Sequence, residues 1–263
     1  MGQQASAPRK GAKFRVIGAG MPRTGTTSFS RALEILLDGP VYHGGTQITI
    51  GPERGVKTWL ELFSQWPAKD EATEQRNLEL IRSQTDGFVA MTDNPCVVLV
   101  PELMKLYPDA LVICTERDID SWEKSMDAVT NHATMSFLRF VLFPLPTMRY
   151  FVQFIDINRP VWSHLYDETV PPTRKTYNRH IEWLKEIVPP ERLVFVNVKD
   201  GWEPLCKALD LPVPKDVPFP NINDSKAIDE LTKRQVRRGL ARWAVIFAIG
   251  GVSVTLAVRK WVR

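Results

Sequence analysis

Apolar positions along the chain come in two kinds of block. Short dense runs end on glycine or turn residues, and longer stretches carry apolar residues at helical spacing. Phe14–Ala19 is a dense run and reads as a buried strand. Gly87–Met91, Ala110–Glu116 and Arg192–Val198 read the same way. Helices are expected at Ser28–Leu37, Trp59–Trp66, Asp70–Ser83, Pro101–Leu106, Asp120–Val129, Thr173–Val188 and Trp202–Leu209. Strands alternating with helices predict an α/β chain, a three-layer fold on a central parallel sheet.

Two stretches break this rhythm. Phe137–Ile155 is nearly all apolar but interrupted by two prolines and two arginines, so it does not suit a bilayer span. It would cap an apolar pocket, lie against a membrane surface or pack onto the core. Trp243–Trp261 holds an uncharged run bounded by Arg242 and by Arg259-Lys260, with tryptophan at both ends. Its length corresponds to nearly 30 Å of helix, the thickness of a bilayer's hydrocarbon core. A C-terminal transmembrane helix is therefore expected, with the rest of the chain on the cytosolic side. Basic residues on both flanks leave orientation open. At the other end, Gly2 followed by Ser6 matches the N-myristoylation pattern, with Arg9-Lys10 beside it. One acyl chain holds a membrane weakly, so two attachments would reinforce each other. The expected layout is a leader over 1–12, a main domain over 13–225, a basic linker over 226–242 and an anchor over 243–261.

Charge supports that division. The 263 residues carry a net +4, yet eight basic and no acidic residues lie from Lys233 onward, leaving the first 232 mildly acidic. That distribution argues against nucleic acid as a partner. Three scattered cysteines, Cys96, Cys114 and Cys206, have no metal-ligand spacing and sit among apolar residues. They read as buried thiols.

The chemistry concentrates in Val16–Phe29, VIGAGMPRTGTTSF. Gly18-Ala19-Gly20 begins a dinucleotide fingerprint, but Arg23 holds the place of the third glycine. Gly20 to Gly25 has Walker-loop spacing, but Thr26 follows where a lysine belongs. A loop between a strand and a helix aims backbone N–H groups at an anion. Here Thr24, Thr26, Thr27 and Ser28 add hydroxyls, and Arg23 adds a planar charged fork. Without the lysine, a donor that needs no metal suits the loop better than ATP or GTP.

PRTGTTSF, Pro22–Phe29, resembles the 5′-phosphosulfate loop of sulfotransferases that use 3′-phosphoadenosine 5′-phosphosulfate (PAPS). Arg23 stands where that family usually has lysine, the residue that touches the donor's bridging oxygen. The resemblance implies that Pro22, Arg23, Thr24, Gly25, Thr26, Thr27 and Ser28 hold the donor. It further implies that Arg117 and Ser125, eight residues apart after a strand, hold its 3′-phosphate. Where family members have Lys-Thr-His-Leu-Pro, with a histidine as base, this chain reads Met91-Thr92-Asp93-Asn94-Pro95. Asp93 is then the candidate base, with His43 of VYHGG as the other. The likeness is to the fungal-type P-loop sulfotransferase group and runs from about Phe14 to Asp224, with Gly201–Asp224 expected to close over the donor. The tryptophan usual after the two threonines is Ser28 here, and the C-terminal Arg-Lys-Gly segment is absent.

The implied function is transfer of a sulfuryl group from PAPS, without a metal, to a hydroxyl of a lipophilic small molecule. Two other readings stand beside it. One is a non-catalytic, membrane-tethered P-loop protein. The other is a nucleotide-dependent oxidoreductase or epimerase, which Gly18-Ala19-Gly20 suggests, although no tyrosine has the lysine four residues on that such enzymes need.

Overall fold

The computed structural model describes residues 4–133, 137–168, 172–222 and 224–261, with side chains at 129–133, 224–225 and 251–260 left out. Five strands form one parallel sheet: β1 (Val16–Gly18), β2 (Val41–His43), β3 (Ala90–Thr92), β4 (Leu111–Glu116) and β5 (Leu193–Asn197). Their spatial order is β2-β3-β1-β4-β5. Val16 pairs with Ala90 on one side and Leu111 on the other, so β1 is central.

Successive strand residues face opposite layers. Val16, Val41, Ala90 and Ile113 meet α1 (Thr26–Leu36) and α10 (Trp202–Leu209) through Phe29, Leu33, Leu205 and Leu209. Ile17, Tyr42, Met91 and Val112 face a larger layer. That layer draws on α3 (Glu53–Ser64), α4 (Glu71–Thr85), α5 (Val100–Leu106), α6 (Ile119–Ala133), α8 (Phe151–Tyr166) and α9 (Arg174–Ile187). Trp59, Trp122, Phe154 and Tyr166 are fully buried there. Each large side chain so removed from water contributes roughly 1.5–3 kcal/mol before ordering costs. The expected three-layer α/β architecture is the one observed. Cys96, Cys114 and Cys206 are buried and free, as expected.

Several elements differ from the sequence pattern. β2 is only three residues between Gly39-Pro40 and Gly44-Gly45, too short for periodicity to register. It leads directly into α2 (Gly44–Ile50), which His43 caps by accepting the Thr46 N–H. The apolar stretch 137–155 divides into α7 (Phe137–Leu142), a 3-10 turn at Met148–Tyr150 and the start of α8. Its buried leucines, Leu138, Leu142 and Leu145, pack with Met148 and Val236 as a small separate cluster.

The segment expected as a linker is helical: α11 runs without a break from Asp224 to Trp261. Among the described residues no helix is long and apolar enough to cross a membrane, so the expected transmembrane helix is not borne out there. The expected span extends into 251–260, whose side chains lie outside the described residues, as does Gly2.

Candidate active site

In an open parallel sheet the crevice lies beyond the carboxyl ends of the strands, where neighbouring connections diverge. Every expected site residue sits at that edge. The loop after β1 carries Pro22 to Gly25, His43 ends β2, Asp93 follows β3, and Arg117 follows β4.

The loop is braced from all sides. Gly20 lies against β4 so closely that a Cβ there would come within 1.9 Å of Thr115 Oγ1. Thr24 Oγ1 donates to the Met21 carbonyl at 2.7 Å and lies 2.5 Å from Thr115 Oγ1. Trp122 Nε1 donates to the Pro22 carbonyl at 2.8 Å, and Arg117 Nη1 donates to the Arg23 carbonyl at 2.9 Å. Beneath the loop, His180 Nε2 meets the Ala19 carbonyl at 2.7 Å and Nδ1 meets the Tyr166 hydroxyl at 3.0 Å. Burial lowers the His180 pKa to about 4, against the Ala19 hydrogen bond, so the ring is neutral near pH 7.

This bracing holds an open anion cradle. Arg23 is in the left-handed region at φ 74°, a conformation rare outside glycine that persists only where surrounding contacts fix it. Gly25, at φ 92°, is the N-cap of α1 and supplies no side-chain cap. The first intrahelical bond is Phe29 N–H to the Gly25 carbonyl, so the amides of Thr26, Thr27 and Ser28 precede the helical ladder. No acidic side chain lies in that first turn. An anion is the complementary ligand for such an end. Arg23 Nε donates to Ser125 Oγ at 3.0 Å, joining the two sides of the cradle.

Asp93 is also left-handed, at φ 65°. Its Oδ2 accepts from Thr26 Oγ1 at 3.0 Å and lies 3.2 Å from His43 Nε2, while Oδ1 accepts the Asn94 N–H at 2.6 Å. Because His43 Nδ1 accepts the Thr46 N–H at 3.2 Å, the imidazole proton belongs on Nε2, facing Asp93. Burial works to raise the Asp93 carboxyl, but the His43 and Thr26 hydrogen bonds, the His43 charge interaction and the Asn94 amide hold it below the ordinary carboxylate value. It is an ionised, fixed carboxylate at neutral pH.

A cavity of about 350 Å³ opens from this cluster. Its polar end is lined by Arg23, Thr26, Thr27, His43, Asp93 and Ser125. Its far walls are mostly apolar, with Leu138 and Leu142 of α7, Phe151, Ile155 and Trp162 of α8, and Ile228, Leu231 and Val236 of α11, and they also carry Arg159, Asp229 and Gln235.

The structure therefore brings both candidate bases together with Pro22, Arg23, Thr26, Thr27 and Ser125 around one space. Three other expected donor residues make contacts within the protein. Thr24 is buried against Thr115, Arg117 supports the Arg23 carbonyl, and the Ser28 hydroxyl accepts the Ile222 N–H at 3.0 Å. That last bond carries the expected closing segment, Gly201–Asp224, onto the start of α1. Of the alternatives for Phe137–Ile155, capping an apolar pocket is met by Leu138, Leu142, Phe151 and Ile155; what the sequence reading missed is the wall that the rest of α8 and α11 add. Its trace in sequence is faint: Ile228, Leu231, Gln235 and Val236 recur at helical spacing inside a charge-rich stretch that composition labels a linker. No metal-holding group of histidine, cysteine or carboxylate side chains occurs among the described residues.

The profile of the sulfotransferase domain matches residues 15–228. Ava biosynthesis cluster protein M of Aspergillus versicolor is 27% identical over 216 residues, covering 80% of each chain. Among solved structures, the sulfotransferase STF9 from Mycobacterium avium aligns with 90% of this chain and 69% of its own, at 16% identity and a TM-score of 0.33, too loose a likeness to bear on the site.

Proposed function

From the premise that the chain belongs to the sulfotransferase-domain family, we propose that it transfers the sulfuryl group of PAPS to a hydroxyl of an apolar small molecule. The observation that carries this reading is the cavity itself, with an uncapped helix start and Arg23 at one end and a predominantly apolar wall beyond. The donor supplies an activated sulfuryl group on a phosphate leaving group. The acceptor oxygen gains a bond to sulfur, the bond from sulfur to the bridging oxygen breaks, and the acceptor proton is released.

The residues divide that work. Arg23 and the first amides of α1 take the negative charge that develops on the leaving oxygen. Ser125 positions the Arg23 fork through the 3.0 Å hydrogen bond. Asp93 accepts a hydrogen bond from the acceptor hydroxyl and takes its proton as the new bond to sulfur forms. A depressed carboxylate serves here, because a hydroxyl oxygen becoming bonded to sulfur turns far more acidic than a free alcohol. His43 holds Asp93 through Nε2 and, with Nδ1 engaged at the α2 cap, is the orienting partner rather than the base. The printed name of the Aspergillus relative, a biosynthesis cluster protein, accords with a small-molecule acceptor.

Titration of the full chain with PAP, the desulfated donor product, tests the reading, with ATP, GTP and NAD alongside. PAP binding that disappears in Arg23→Ala supports it. Binding of NAD or ATP in preference to PAP overturns it, and the dinucleotide reading then returns. PAP binding with no turnover over a broad set of alcohols and phenols points to the non-catalytic alternative. A chain cut at 232 is unsuitable, because it severs α11 through the cavity wall.

We further propose that the chain is attached to a membrane, with its catalytic domain on the cytosolic side. In support, Leu240, Val245, Ile246, Phe247 and Ile249 of α11 are exposed, as are Phe137, Phe140 and Phe143. Trp243 joins the two groups, stacking on Phe140 with ring centres 4.5 Å apart. Contiguous exposed apolar surface rimmed by basic residues suits a lipid surface. Flotation of the full chain with anionic liposomes, lost on truncation at 242 and weakened by Gly2→Ala in acylated material, is the expected result. Failure of the full chain to float sinks the attachment, and equal flotation of the truncated chain places it outside the end of α11.

A further inference from the structure

The far wall of the cavity is not uniformly apolar. Arg159 of α8 and Asp229, Thr232 and Gln235 of α11 also reach it. Arg159 and Asp229 are exposed and stay solvated, as unpaired charges do, and Thr232 is half-buried. Gln235 differs. It is only 3% exposed, yet it lines this cavity beside Ile228, Leu231 and Val236 of the same helix.

The Gln235 amide is held in one orientation. Its Oε1 accepts from Arg238 Nη1 at 3.1 Å. The flipped amide would set two donors against each other, so the oxygen is engaged by Arg238 and the amide nitrogen is left over. Nε2 has no hydrogen-bond partner among the described residues. It is not sealed away either. The buried side-chain atoms that are both unpaired and cut off from solvent, among the described residues, are Asn94 Oδ1, Glu102 Oε2 and Asn158 Oδ1. Nε2 therefore carries part of the small accessible surface that Gln235 keeps, and the space that Gln235 borders is this cavity. A second hollow, lined by Arg234 and Arg238 of α11, does not reach Gln235.

Water satisfies such a donor for as long as it stays. A ligand that displaces the water must bring an acceptor oxygen of its own or leave the amide unpaired. A methionine or leucine at 235 would line the wall at no such cost. We propose that Gln235 is a specificity-determining residue, and that the acceptor is a largely apolar molecule carrying a hydrogen-bond-accepting oxygen, a carbonyl or an ether, remote from the hydroxyl that is sulfated. The inference rests on the acceptor-pocket reading above and deepens it. Gln235 acts by binding alone and takes no part in sulfuryl transfer. A site with a buried polar group discriminates against the analogue that leaves that group unpaired, so oxygenated frames are selected over bare hydrocarbon. Thr232, one turn away, donates or accepts equally well and adds little discrimination.

The test is calorimetric and needs no turnover. Linear primary alkanols of about eight to twelve carbons that end in a methyl ketone are titrated into the full chain, beside plain alkanols of equal length. At one length the ketone binds about tenfold tighter than its alkanol, the gain typical of one neutral hydrogen bond. In Gln235→Met the gap closes, chiefly because the ketone weakens. In Gln235→Glu the preference changes sign: an acceptor replaces the donor, so the α,ω-diol of that length binds better than the ketone. A merely structural glutamine would not exchange one ligand preference for another. The wild-type ketone and alkanol comparison stands by itself if a variant folds poorly. Equal binding of ketone and alkanol at every length, including no binding of either, overturns the proposal, as does a ketone preference that persists in either variant. Failure of PAP to bind would sink the sulfuryl-transfer reading while leaving a length-dependent ketone preference intact, so the two failures are distinguishable.

Discussion

The two ends of the cavity are built in opposite ways. At the sheet edge, polar groups are held before any ligand arrives: Arg23 by Ser125, Asp93 by Thr26, and the loop carbonyls by Arg117 and Trp122. At the far end the wall is assembled from α7, α8 and α11, whose side chains supply shape and apolar surface. Charge chemistry needs donors and acceptors fixed in advance, since their reorientation would consume the stabilisation they provide. Apolar recognition needs only surface removed from water, and it tolerates helices that contribute a few side chains each. The difference separates what should change turnover from what should change acceptor affinity.

The largest effect is expected at the polar end. Arg23→Ala should abolish measurable PAP binding and lower kcat/KM by about a thousandfold, since it removes both the fork and its tie to Ser125. Arg23→Lys keeps the charge and should stay within about tenfold, while losing the Ser125 geometry. Steady-state kinetics beside calorimetry separates the two terms. Equal PAP affinity in wild type and Arg23→Ala would place the donor elsewhere.

Asp93→Asn should lower kcat by about a hundredfold or more and leave PAP binding unchanged. Because its pKa is depressed, Asp93 is already ionised well below neutrality. Its contribution to rate and stability is therefore present above the unfolded value, near 3.8, and is lost only as pH falls through the lower folded value. A rate profile with an Asp93-dependent limb between pH 6 and 8, abolished in the asparagine variant, would contradict the fixed-carboxylate geometry.

Acid should strike the support under the loop before it reaches Asp93. His180 is buried neutral, with its pKa lowered from 6.5 to about 4. The unfolded chain takes up a proton below the first value and the folded chain only below the second, so stability falls as pH drops from 6.5 to 4. A full shift of that size corresponds to about 3 kcal/mol. Urea unfolding at several pH values should show this slope, and His180→Gln should reduce it.

The smallest effect is expected at the wall. Phe151→Ala should raise KM for apolar acceptors about tenfold through lost contact surface, with kcat and PAP affinity little changed. A fall in kcat matching that of Asp93→Asn would mean that the wall, and not the cradle alone, sets the reacting geometry.

Part of this molecule is legible in one dimension. Strand–loop–helix order, the glycines at 20 and 25, and the run of residues from Pro22 to Ser28 follow from local rules, because each depends on neighbours within a few positions. The short strand β2 was not legible, since three residues carry no period. Nor was the division of labour among the hydroxyls. Thr24, Thr26 and Ser28 look equivalent in sequence, yet they turn toward Thr115, Asp93 and Ile222 respectively.

By itself, then, the sequence determined the layered α/β fold, the anion-binding character of the first loop, and a basic, apolar C-terminal segment distinct from the rest. Those features rest on periodicity, composition and backbone permissiveness, all local properties. Only the tertiary structure decided that His43 and Asp93 form one unit and that the supposed linker is a helix lining the cavity. Each of these joins residues tens to hundreds of positions apart, and such pairings are set by the packing of helices on a sheet rather than by any spacing along the chain.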